Sequence, residues 1–130
     1  MEKYGDPDEA ELDVLHECQL AIEYLYRAYG NLLAFHHGVG HAMDRFAVAE
    51  RGLRETGHDA LADELRDEHL PAGAVGDSWS YELVDEFRTG MLASTAAFER
   101  EVREELADGT PHLHERRQRA RWRERSRKEW

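Results

Sequence analysis

Three residues with metal-binding side chains recur at helical spacing in the stretch LLAFHHGVGHAMDRF, residues 32–46. His37, His41 and Asp44 stand at positions i, i+4 and i+7, which places them on one stripe of a helix. Two imidazoles at this spacing can share a Zn²⁺ or a similar divalent ion, and the carboxylate can supply a third ligand. The pattern predicts a candidate divalent-metal site. A solvated polar face explains the same residues.

Two acidic pairs form a second candidate site. Glu64-x-x-Asp67 and Glu82-x-x-Asp85 lie on successive predicted helices, and their carboxylate oxygens suit Mg²⁺. These pairs resemble the acidic motifs of all-α nucleoside-triphosphate pyrophosphohydrolases of the MazG type. The resemblance covers residues 63–86 and implies a Mg²⁺-dependent nucleotide hydrolase. A solvated acidic face is the alternative, because 28 of the 130 residues are acidic.

The last nineteen residues carry the opposite charge from the rest of the chain. Residues 112–130 hold 8 basic and 3 acidic side chains, whereas residues 1–111 hold 9 basic and 25 acidic ones. We therefore predict an acidic helical domain over 1–111 and a basic tail over 112–130. The tail could bind nucleic acid through its cations and stack bases on its tryptophans, although the acidic domain would repel the same polymer. Alternatively it lies on an acidic surface of its own chain or of a partner. Its principal residues are Arg116, Arg117, Arg119, Arg121, Trp122 and Arg123.

Composition sets the broad class. The formal net charge is -11, no apolar run is long enough to cross a membrane, and the acidic start MEKYGDPDEAELD is unlike a signal peptide. A single cysteine, Cys18, excludes an internal disulfide and is typical of a reducing compartment. We expect a cytoplasmic protein without a membrane partner. The acidity and the scarcity of lysine resemble small all-helical proteins of halophilic archaea, a likeness that implies no particular activity.

The elements that must position these residues follow from hydrophobic periodicity. Apolar residues recur at alternating steps of three and four from Leu15 to Leu53, which is a heptad seam with a and d positions. The seam keeps its phase across Gly38 and Gly40, so we predict one helix from about Asp8 to Thr56 with Gly57 as its C-terminal stop. A break near residue 38 remains an alternative, since each glycine costs about 1 kcal/mol relative to alanine.

Shorter helices complete the predicted fold. One covers Asp59 to His69 with Leu61, Ala62 and Leu65 facing inward, and a second long helix covers Trp79 to Ala107 with Asp77 or Ser78 as its cap. A last, basic helix follows Pro111. The fold class is therefore all-α.

A helix of this length favours self-association, because about 45 residues span roughly 68 Å and one short chain cannot cover the whole apolar side. We predict a homodimeric helical bundle. His36 and Glu50 occupy a positions of the seam, where they could meet across an antiparallel dimer or each contact a local group.

No nucleophile–base constellation and no phosphate-binding glycine loop stands out, so we predict a non-enzymatic interaction or structural module. The Mg²⁺-dependent hydrolase and a nucleic-acid-associated protein are the alternatives.

Overall fold

The computed structural model describes residues 7–130, which form helices and no named β-strand. The predicted all-α class is confirmed. In chain order the helices are α1 (Glu9–Glu55), α2 (Asp59–Glu64), α3 (Ser80–Phe87), α4 (Ala93–Ala107) and α5 (Leu113–Arg125). Two π-helical turns extend them, Leu65–His69 after α2 and Arg88–Leu92 between α3 and α4.

Helix α1 is uninterrupted over 47 residues, as its heptad pattern predicts, and no break occurs at Gly38 or Gly40. A capping box begins it: the Glu11 N–H donates to the Asp8 carboxylate at 2.8 Å, and the Asp8 N–H donates to the Glu11 carboxylate at 3.2 Å. Gly57 ends it with a positive φ of 84°. The N–H groups of Gly57 and His58 there donate to carbonyls three and five residues back, which is a Schellman motif.

The second long helical segment differs from the prediction in two details. It runs from α3 through the π-helical turn into α4, whereas the sequence predicted an unbroken α-helix. Its cap is Trp79 rather than Asp77 or Ser78, and the Trp79 N–H donates to the Glu82 carboxylate at 2.9 Å. In the preceding loop Gly73 is required, because a Cβ there would lie 2.5 Å from the carbonyl oxygen of Gly76.

The contacts divide the chain into two compact units. The first combines the residues up to Arg27 with Met91–Trp130, and the second is Ala28–Gly90. The core of the first unit consists of Leu15, Ala107 and Leu113, so the basic helix α5 packs with the beginning of α1. The predicted boundary at residue 111 separates an acidic part of the chain from a basic part, whereas these two units are defined by contacts between residues. The two divisions therefore describe different properties.

The second unit has a small core. Ala62, Ser80 and Val84 are buried there, and Tyr29 stacks with Phe87 at a ring-centroid distance of 6.4 Å. Of the three residues of this helix predicted to face inward, Ala62 is buried and Leu65 is half-buried, whereas Leu61 is 55% exposed. No large side chain of the described residues is fully buried, and most seam positions of α1 are only half-buried.

Candidate functional site

The second unit contains an apolar groove. Met43, Phe46 and Leu53 of α1 line one side, and Leu61 and Leu65 line the other. The groove encloses about 500 Å³. Phe46 is 48% exposed at its border, which places apolar surface in water. Such a surface is typical of a protein-binding site.

An ion-pair cluster joins α1 to α2 beside this groove. Arg54 donates to Asp63 at 2.9 Å and to Glu50 at 3.0 and 3.1 Å. The hydrogen bond that Arg54 donates to Asp63, followed by those it donates to Glu50, raises the pKa of Arg54 above its ordinary value. This cluster fixes the walls of the groove relative to each other.

Both polar residues of the seam have partners within their own chain. His36 Nδ1 and the hydroxyl of buried Ser80 form a hydrogen bond of 2.7 Å. Glu50 accepts both hydrogen bonds from Arg54, one turn further along α1. A contact between His36 and Glu50 of two subunits is therefore not needed to satisfy either side chain, and that contact stays a prediction.

The histidine stripe lies on solvent-facing positions. His37, His41 and Asp44 are all exposed, and the ring of His37 lies 5.5 Å from that of His36. Within residues 7–130 no group of three or more histidine, cysteine or acidic side chains is placed to hold a metal ion. The divalent-metal site at these three residues remains a sequence prediction.

Glu64 and Asp67, the first of the two acidic pairs, each contact a different residue nearby in the chain. Glu64 pairs with His69 Nε2 at 2.8 Å. Asp67 accepts two hydrogen bonds from Arg66, at 2.8 and 3.0 Å. These bonds lower the pKa of the Asp67 carboxyl, because the guanidinium stabilises its charged form.

The acidic pair of α3 is likewise divided. Glu82 caps its helix by accepting the Trp79 N–H, and Asp85 pairs with Arg88 at 3.3 Å. In the described part of the chain these carboxylates do not join those of Glu64 and Asp67 in a ligand set. The Mg²⁺ site that the family resemblance implies also remains a prediction.

The basic tail belongs to the first unit, and the contacts of its cations differ from one position to the next. Arg119 and Arg121 form no ion pair with any residue from 7 to 130. Arg116 donates to the carbonyl of Pro111 at 2.8 Å. Contact of the tail with an acidic surface of its own chain or of a partner stays a prediction.

Indole rings and cations meet at the far end of the tail. The guanidinium of Arg123 lies 5.2 Å from the ring centre of Trp130, and the ammonium of Lys128 lies 4.6 Å from it. Trp122 is 59% exposed on α5. This arrangement supplies positive charge beside open aromatic surface.

Sequence reasoning missed a polar cluster in the first unit. His16 and His114 stack with ring centres 4.2 Å apart. The side-chain amide of Gln19 donates to His112 Nδ1 at 2.7 Å and to the Glu115 carboxylate at 3.0 Å. These contacts fasten α5 to α1. They join residues more than ninety positions apart, so no local spacing indicates them.

Comparison of the chain with protein-family models, curated proteins and solved structures finds no match. Among the described helices, none combines the length and apolar character that crossing a bilayer requires. The class is thus defined by the structure alone: an all-helical protein with a small core, an open apolar groove and a basic aromatic tail.

Proposed function

We propose that this chain is a non-enzymatic interaction module that forms a homodimeric helical bundle through the groove of its second unit. The half-exposed side chains of Phe46 and Leu61 at the border of that groove carry the proposal. In a two-fold dimer the same patch serves both subunits, so Phe46 of each protomer packs against the groove of its partner.

The exposed apolar side chains of the second unit support this proposal. Phe46 is 48% and Leu61 is 55% exposed, and both line the groove. A second copy can therefore bury apolar surface that one chain leaves in water.

The chemistry of the groove favours a second copy over a polar ligand. Its walls are mostly aliphatic and aromatic, and the two polar side chains that line it, Glu64 and His69, contact each other at 2.8 Å. Apolar burial of this kind is the main driving force of obligate association. The half-buried apolar seam of α1 is the surface that the groove of a second copy can cover.

Charge placed in the groove provides the test. Leu61→Lys puts two like charges into the proposed interface, and we expect light scattering to report 15.1 kDa in place of twice that mass. Val75→Lys is the matched control, because Val75 is 58% exposed in the loop of the same unit and lies outside the groove. A concentration of 100 μM is on the order of the Kd of a weak interface. If the wild-type protein is entirely monomeric at that concentration, the proposal is contradicted.

A further inference from the structure

The surface formed by Arg119, Trp122, Arg123, Lys128 and Trp130 is called here the tail surface. Its members Arg119, Trp122, Arg123 and Trp130 line a shallow depression of about 400 Å³ together with Glu115, and Lys128 lies against the Trp130 ring. Trp122 is 59% exposed and presents an open indole face to solvent, whereas the cations of Arg123 and Lys128 lie over the ring of Trp130.

Within the part of the chain that the structure describes, no carboxylate forms an ion pair with the cations of the tail surface. Arg119 has no ion-pair partner in the described range, and Arg123 and Lys128 lie against the Trp130 ring. Cations in this position keep most of their charge available, because a ring attracts them without neutralising them. The tail surface thus combines positive charge with one exposed stacking platform, the indole of Trp122.

We infer that the tail surface binds single-stranded nucleic acid, with phosphates on its three cations and a base stacked on Trp122. Charge complementarity supports a polyanion, since residues 112–130 hold eight basic and three acidic side chains. The indoles favour a nucleic acid over an acidic polypeptide, because every base offers a π-face and a carboxylate offers none.

A single strand fits better than a duplex. The rest of the chain, with 25 acidic and 9 basic residues, repels a rigid polyanion that extends beyond the tail surface. A flexible strand can touch the tail surface alone, and its unpaired bases are free to stack. This inference is independent of the homodimer, which uses a groove in the other unit.

Fluorescence anisotropy of a labelled twelve-nucleotide RNA, titrated with the full chain between 20 and 200 mM salt, tests the inference. Three phosphate contacts predict that log affinity falls against log salt with a slope of about -2. Trp122→Ala should weaken binding by about 5- to 150-fold, and Trp122→Phe should restore most of it. Arg119→Gln with Arg123→Gln should make the slope shallower by about 1.4.

Arg45→Gln with Arg51→Gln is the matched control, because it removes the same charge from exposed positions of α1. We expect this variant to bind like the wild type. Absence of binding at 20 mM salt, equal weakening by the control pair, or indifference to Trp122→Ala would each overturn the inference. Equal competition by a polyglutamate peptide would assign the tail surface to an acidic protein instead. Circular dichroism confirms that each variant is folded.

Discussion

Phe46→Ala measures how much free energy the groove contributes to association. A phenylalanine side chain presents about 150–250 Å² of surface. With 48% of Phe46 exposed, about 100 Å² remains for a partner to cover. At about 25 cal/mol per Å² this area is worth about 2 kcal/mol after allowance for the Cβ that alanine keeps. A two-fold dimer contains the substitution twice, so its dissociation constant should rise by about a thousandfold.

Sedimentation equilibrium over a dilution series measures that constant for the wild type and the variant. Val48→Ala is the control, because Val48 is 51% exposed on the same helix and lies about 200° around its axis from Phe46. An unchanged constant for Phe46→Ala, or an equal rise for Val48→Ala, would refute the reasoning. A thermal melt of each variant separates loss of association from loss of folding.

Three further predictions concern stability at one protein concentration. Ser80→Ala should lower the free energy of unfolding by about 1–3 kcal/mol in urea titrations, because it leaves His36 Nδ1 without its partner; no change would show that solvent already satisfies that nitrogen. Gly57→Ala should cost about 1–2 kcal/mol because φ is 84°, whereas Gly38→Ala should gain about 1 kcal/mol, since its new Cβ meets nothing within 4 Å. Equal effects at both glycines would contradict the capping argument. Asp67→Asn should lower Tm at neutral pH but not at pH 2. The pKa of this carboxyl is lower in the folded protein than in the unfolded chain. Its contribution to the free energy of unfolding is therefore present above the unfolded-state pKa and is lost as the pH falls through the folded-state pKa. A pH-independent difference would indicate another cause.

The helices and their ends follow from local chemistry, and the sequence alone predicts most of them. Heptad spacing and the glycine stop determine α1, whose observed span of Glu9–Glu55 lies within one residue of the predicted one at each end. The short helix after Gly57 also covers its predicted range, including its π-helical turn. Such features depend on residues within one or two turns of each other, so a linear pattern contains them.

The local sequence pattern does not determine which residues of an apolar helix face are covered by other helices. Periodicity places Leu61, Ala62 and Leu65 together on the inward face, yet only Ala62 is buried and Leu61 is 55% exposed, because contacts with other helices decide burial. The cap at Trp79 was missed because the tryptophan side chain accepts no backbone hydrogen bond, so its residue type does not indicate a cap.

The amino-acid sequence by itself determined an acidic, all-helical chain with a long first helix and a basic aromatic tail, since these depend on composition and short-range periodicity. Tertiary structure decided the partners of the polar groups. His36 meets Ser80 across 44 positions, and Gln19 meets Glu115 across 96. It also decided which apolar side chains line a groove instead of a core. Those outcomes depend on how separate helices pack, and no spacing along one helix specifies that packing.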